Sequence, residues 1–313
     1  MKIYGYPLAM VACLALAFWA SLPRSKATTG QVKWWSIAPS QLELLTYKKD
    51  DQTVEITGDA WVNVKRIREG EVIKEFDFKA NEKLDAVFDD LLEVKALKVI
   101  GKSTDLNLSE FGLDGEVKEI LEISEKDEKY GLILGKQSFQ TSNIYALDKK
   151  RERVILISRR SINTLRSARQ RLFENRLTNL KAIDDFSSVK LKFDSKEEEF
   201  TVRREGKKLV WYSGSEEKAE AEGTWIDKIM KLKAIKYTND SESDEIKSEN
   251  TQLVNLSIMK NGRDVGFISL FKRPIDDEKK PYEYWVESNY LERLVLVDSA
   301  KAKTLEQDIG NLF

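Results

Sequence analysis

The side chains best able to do chemistry in this chain are its carboxylates and arginines, because the other usual reagents are missing. No histidine occurs among the 313 residues, and the one cysteine, Cys13, lies in an apolar N-terminal run. That removes the ordinary general base near neutral pH, the Ser-His and Cys-His nucleophile systems, and imidazole metal ligands. It also removes any disulfide within the chain, and a cysteine-free remainder suits an oxidising compartment.

Carboxylates are abundant, 53 in all. The acidic runs Glu197-Glu198-Glu199, Glu216-Glu217 and Asp240-Ser241-Glu242-Ser243-Asp244-Glu245 lack the alternating ligands and central glycine of a calcium loop, so they read as solvated loops. Two acids converging for glycoside cleavage would leave no mark in sequence. The chain carries no P-loop, no dinucleotide fingerprint and no Gly-x-Ser-x-Gly elbow. The expectation is no catalytic residue, no cofactor and no metal.

The most unusual charge pattern runs from Arg159 to Lys181. Arg159, Arg160, Arg166, Arg169, Arg171, Arg176 and Lys181 stand against Glu174 alone. Ile162, Leu165, Leu172, Phe173, Leu177 and Leu180 form an apolar stripe, and Ser161 is placed to cap the start, which predicts one amphipathic basic helix. Its six arginines are the candidate interaction residues. They would dock on anionic lipid headgroups, a polyanionic glycan or an acidic partner, or else form a solvated linker helix paired with nearby carboxylates.

Several elements must position these groups. Residues 3 to 22 carry no charge and match the length of a helix crossing a roughly 30 Å hydrocarbon layer. Tyr4, Tyr6 and Trp19 sit near its ends, as interfacial rings do. The run is long for a secretory h-region, so a retained signal anchor over 1–27 is expected. A cleaved signal peptide and a lipoprotein processed at Cys13 are the alternatives. Lys+Arg (52) nearly cancel Asp+Glu, and a net charge of -1 argues against a nucleic-acid binder.

Beyond residue 28 the chain resembles itself. Leu91–Lys98 aligns with Ile229–Lys236 at a shift of 138, Leu121–Ile133 with Leu256–Ile268 at 135, and Glu152–Ile157 with Glu292–Val297 at 140. Two diverged copies are expected, 28–182 with the basic helix and 183–313. Each opens on alternating strands (Leu42-Glu43-Leu44 and Val189–Phe193; Thr53–Ile56 and Phe200–Val202), then a strand centred on Trp61 or Trp211. An amphipathic helix follows, marked by Leu84, Val87, Phe88, Leu91 and Leu92 in one copy and by Trp225, Ile226, Ile229, Met230 and Leu232 in the other. A hairpin, turned by Asn261-Gly262 in the second copy, two more strands and a helix close the unit. The fold class is α+β, mainly antiparallel sheet with helices on one face.

Phe111-Gly112-Leu113-Asp114, then Gly131–Lys136, Asn143-Ile144-Tyr145, Val154–Ile157 and Leu165-Arg166, resembles the bacterial family known as domain of unknown function 4340. Phe111 stands where that family usually has Tyr, and Gly115-Glu116 where a proline is common. The resemblance implies an envelope context, as partner of gliding-type ABC transporter membrane subunits, and brings no catalytic residues. Together these readings lead to a non-catalytic accessory protein, anchored by a single pass in the bacterial inner membrane with its bulk in the periplasm. A carboxylate-dependent glycan-acting enzyme and a scaffold that oligomerises through strand edges are the rivals.

Overall fold

The computed structural model describes residues 31–312 except 116–117, 127, 140, 181–184, 207, 215–216, 250 and 279–280. The predicted anchor, 1–27, with Cys13, and also Lys181 and Glu216, lie outside the described residues. Among the described residues no helix is long and apolar enough to cross a membrane.

The chain forms two compact units, Met1–Asp50 with Ala86–Arg166, and Asp51–Asp85 with Ser167–Phe313. In chain order the first stretch gives β1 (Val32–Lys33), β2 (Leu44–Lys49), β3 (Gln52–Thr57), β4 (Trp61–Arg68), β5 (Glu71–Lys79) and helix α1 (Lys83–Leu91). Strands β6 (Lys95–Ala96), β7 (Lys98–Lys102), β8 (Glu119–Glu125), β9 (Glu128–Gln137), β10 (Asn143–Asp148) and β11 (Arg153–Ser158) follow, then α2 (Arg160–Arg166) and α3 (Ala168–Arg171). In the first unit β2-β8-β9-β10-β11-β7 lie side by side, and β1 pairs with β6. In the second, β5-β4-β3 form a meander.

The remaining chain continues the second unit. It gives β12 (Ser188–Phe193), β13 (Lys196–Glu205), β14 (Lys208–Ser213), β15 (Glu217–Lys218), α4 (Glu220–Met230), β16 (Ala234–Tyr237) and α5 (Asp240–Glu249). Then come β17 (Thr251–Lys260), β18 (Arg263–Pro274), β19 (Tyr282–Ser288), β20 (Val295–Val297) and α6 (Ser299–Leu312). Their sheet runs β15-β14-β13-β12-β17-β18-β19-β20-β16. Strand for strand this repeats the earlier elements: β5-β4-β3 correspond to β15-β14-β13, and β2-β8-β9-β10-β11-β7 to β12-β17-β18-β19-β20-β16. The neighbouring pairs are antiparallel, and the class is α+β.

Alternation explains the cores. Leu45 and Tyr47 on β2, Val54 and Ile56 on β3, and Leu121 and Ile123 on β8 are fully buried, each two residues from the next. Asn261 and Gly262 take positive φ (51° and 74°) between the paired Lys260 and Arg263, as a two-residue hairpin requires.

Three expectations need correction. The acidic run from Asp240 lies in helix α5, not in a loop; only its Ile246 is apolar, and that side chain packs with Trp285 and Leu294. Nor do helices keep to one face. Tyr284 bonds Glu306 of α6 while its neighbour Trp285 meets α5, and consecutive strand residues point to opposite faces. The run Glu197–Glu199 is strand, in β13, with Ser213 and Ser188 donating to Glu198 and Glu199 (2.6 and 2.8 Å).

Candidate functional site

The arginine-rich segment is not one helix. Helix α2 ends at Arg166, Ser167 leaves helical geometry (φ -120°, ψ 33°), and α3 lasts one turn. Beyond it the chain is extended: Phe173 bridges Ala80 and Arg176 bridges Lys233. Glu174 N–H donates to Lys79 O (2.9 Å), and Ala234 N–H to Asn175 O (2.9 Å). Leu172 and Leu177 are fully buried. A continuous helix would forgo these main-chain bonds, so tertiary pairing overrides the helical period.

The arginines scatter accordingly. Arg159, Arg160 and Arg166 belong to the first unit, and Arg169, Arg171 and Arg176 to the second. Arg159 donates to Gln137, Arg160 and Arg171 are exposed, and Arg169 lies over the Phe76 ring at 3.5 Å. Arg166 and Arg176 are structural. In the first unit Arg166 Nε and Nη2 grip Glu119 through both carboxylate oxygens (2.8 and 2.6 Å), and Tyr47 donates to the same group. Burial works to raise the Glu119 carboxyl, yet hydrogen bonds from Arg166 and Tyr47 and the Arg166 charge prevail and hold it below its usual range.

The second unit repeats the device. Arg176 Nη2 donates to Glu174 Oε2 (2.7 Å), Tyr290 to the same oxygen (2.7 Å), and the Arg176 N–H to Oε1 (2.9 Å). Glu174 is 1% exposed. Burial again pushes its carboxyl upward, and the bonds from Arg176 and Tyr290 outweigh it, so the net displacement is downward. Tyr290 is pushed up to about 12, by burial first and then by its bond to Glu174. These acids are locked ionised acceptors, the opposite of a proton donor poised near neutral pH.

A groove of about 580 Å³ opens in the second unit between the edge strands β5 and β16. Phe76, Phe78, Phe173, Tyr237, Ile235 and Leu296 supply its apolar wall. Phe78 meets Phe173 at 5.3 Å between ring centroids, and Tyr237 meets Phe173 edge-on at 5.5 Å. The carboxylates of its lining are already partnered: Glu75 by Asn63 (2.7 Å), Asp77 by Arg293, and Glu242 by Lys236 (3.1 Å). Ile235 is half exposed there. With its acids already bonded, and Lys65 3.7 Å from Glu75, the groove suits recognition of an apolar group better than acid–base work. Sequence reasoning missed it because β5 went unread; the signal was Phe76 and Phe78 at a spacing of two. Among the described residues no three carboxylates or thiols are grouped to hold a metal ion.

The family-like motifs converge elsewhere, inside the first unit. Gly112 takes φ 65° at the end of a 3-10 turn, where a Cβ would come within 3.1 Å of Lys136 N. A Cβ on Gly135 would lie 2.3 Å from Phe111 O. Phe111 packs edge-on to Tyr145 at 4.9 Å, and Leu113 is buried with Ile133, Leu147 and Val154. Four motifs distant in sequence thus form one close-packed knot, a folding signature held by glycine contacts and apolar packing.

A family model described as a domain of unknown function (DUF4340) matches residues 71–251, more than half of the chain. No curated protein and no solved structure matches it.

Proposed function

The chain belongs to the family described as domain of unknown function DUF4340, and from that premise we propose a membrane-anchored periplasmic accessory protein that binds its partner without transforming it. The partner is a membrane subunit of an ABC-type transporter or of another envelope complex, and the tether is the apolar run over residues 3 to 22. Two tandem, diverged copies of one sheet unit form the body of the protein, a reading supported by the matching strand orders.

One observation carries the binding reading over the catalytic one. Among the described residues the carboxyls that are displaced, Glu119, Glu174 and Glu205, all move downward, the first two against the upward push of burial, under hydrogen bonds from Arg166 and Tyr47, from Arg176 and Tyr290, and from Tyr212 and Lys218. A glycan-cleaving pair needs one acid displaced upward, so that it holds a proton to donate. The groove between β5 and β16 offers the apolar wall and satisfied charges of a recognition surface.

The test is co-purification of the full-length protein from detergent-solubilised membranes, beside an Ile235→Arg variant that fills the groove with charge. Retention of a polytopic transporter subunit by the wild type, reduced at least tenfold in the variant, is the expected outcome. Recovery of the wild-type chain alone overturns the proposal.

A further inference from the structure

In the first unit a second set of cations, on the β10–β11 turn and the end of β7, is left unengaged while Arg166 is not. The turn from β10 to β11 reads Asp148-Lys149-Lys150-Arg151-Glu152-Arg153, and Arg153 lies opposite Lys102 in the ladder. Lys149, Lys150 and Lys102 are exposed, and none has a carboxylate within ion-pair reach among the described residues. Against these cations stand Glu152 in the turn and Asp105 just beyond Lys102. Asp148 is 5% exposed and already committed, so it does little to cancel them.

What commits Asp148 is the start of the described chain. Trp34 Nε1 donates to Asp148 Oδ2 (2.8 Å), and the Arg151 guanidinium covers the Trp34 ring at 4.6 Å while donating to the Trp34 carbonyl. Trp34 N–H donates to Val94 O (2.8 Å), and Trp35 Nε1 to Leu91 O (2.9 Å). This segment is therefore stapled to the turn. From Leu22, the end of the apolar run, to Trp34 the chain reaches at most about 40 Å when fully extended. The staple thus confines the basic turn to the neighbourhood of the point where the apolar run leaves the bilayer.

We infer that the β10–β11 turn, with Lys149, Lys150, Arg153 and the adjacent Lys102, docks the first unit on anionic lipid headgroups of the membrane that holds the chain. This rests on the anchored reading above. Exposed lysines near a negatively charged surface are drawn to it over a Debye length of roughly 8–10 Å, so the contact is salt-sensitive.

The experiment uses the full chain carrying Cys13→Ser and Thr104→Cys, labelled with a fluorophore at the introduced thiol beside Lys102 and reconstituted in nanodiscs. The discs contain phosphatidylcholine alone or with phosphatidylglycerol, each with a headgroup-attached quencher. Quenching is expected to rise with phosphatidylglycerol and to fall back as salt is added. In Lys149→Glu/Lys150→Glu that lipid dependence is lost, with the amount of chain in the discs unchanged. A chain that inserts but is quenched equally in both lipids, in low salt, overturns this inference and leaves the anchor standing. A chain that stays out of the discs overturns the anchored reading, and the docking with it.

Discussion

Arg166 and Lys150 carry the same charge within one compact unit, yet the fold uses them in opposite ways. Arg166, at the end of α2, meets Glu119 at the start of β8 and loses its freedom to a bidentate ion pair closed by Tyr47. Lys150 projects from a turn into solvent with no carboxylate in reach among the described residues. Density of charge in sequence singles out the region of Arg166; availability of charge in space singles out that of Lys150. What separates them is whether an acid distant in the chain is brought within hydrogen-bonding distance, and tertiary packing, here of α2 against β8, decides that.

The largest effect that would break this contrast is at Glu174, where the second unit repeats the device. Glu174→Ala leaves Arg176 without its main acceptor and strips Tyr290 of its partner. Urea unfolding should show a loss of about 3 kcal/mol, discounted from a fully buried pair because Arg176 is partly exposed. A loss indistinguishable from zero would mean that the ion pair is decoration.

Acid sharpens the same contrast. The Glu119 and Glu174 carboxyls sit below their ordinary values in the folded protein. Their stabilisation is complete above the unfolded carboxyl value of about 4.3 and is lost as pH falls through the depressed folded values. Urea midpoints should therefore drop between neutral pH and about pH 3, and in Glu119→Gln the drop should be smaller than in the wild type. An unchanged acid limb in that variant would place the titrating groups elsewhere.

At the turn itself the effects are smaller. Trp34→Phe keeps the ring under Arg151 and removes the hydrogen bond to buried Asp148, an expected loss of about 1 kcal/mol in thermal or urea unfolding. Lys149→Glu/Lys150→Glu touches only solvated side chains and should leave stability within about 0.5 kcal/mol of the wild type. A larger loss there would mean the two lysines have structural partners after all.

Much of the fold was legible because its periods are local. Thr53–Ile56, Val189–Phe193 and Phe200–Val202 alternate and are strands; Leu84–Leu92 and Trp225–Leu232 recur at helical spacing and form or flank α1 and α4. The shifts of 138, 135 and 140 place α1 on α4, β8 on β17 and β11 on β20, with the differences absorbed in the connections. The break at Ser167 was not legible. Leu172, Phe173 and Leu177 fit a helical stripe equally well, and the bonds that extend the chain come from Lys79 and Ala234, far away in sequence. Helix α5 was hidden by its acidity, and the groove by the unread strand β5. The candidate site fared worst, since pairing of Arg166 on α2 with Glu119 on β8 depends on a tertiary contact that no local pattern encodes.

The most direct test places the two cations side by side: urea unfolding of the full chain as Arg166→Ala and as Lys150→Ala. The account predicts a loss of about 3 kcal/mol for Arg166→Ala, from the stranded Glu119, and less than about 0.5 kcal/mol for Lys150→Ala. Equal losses, or a larger one at Lys150, would contradict it.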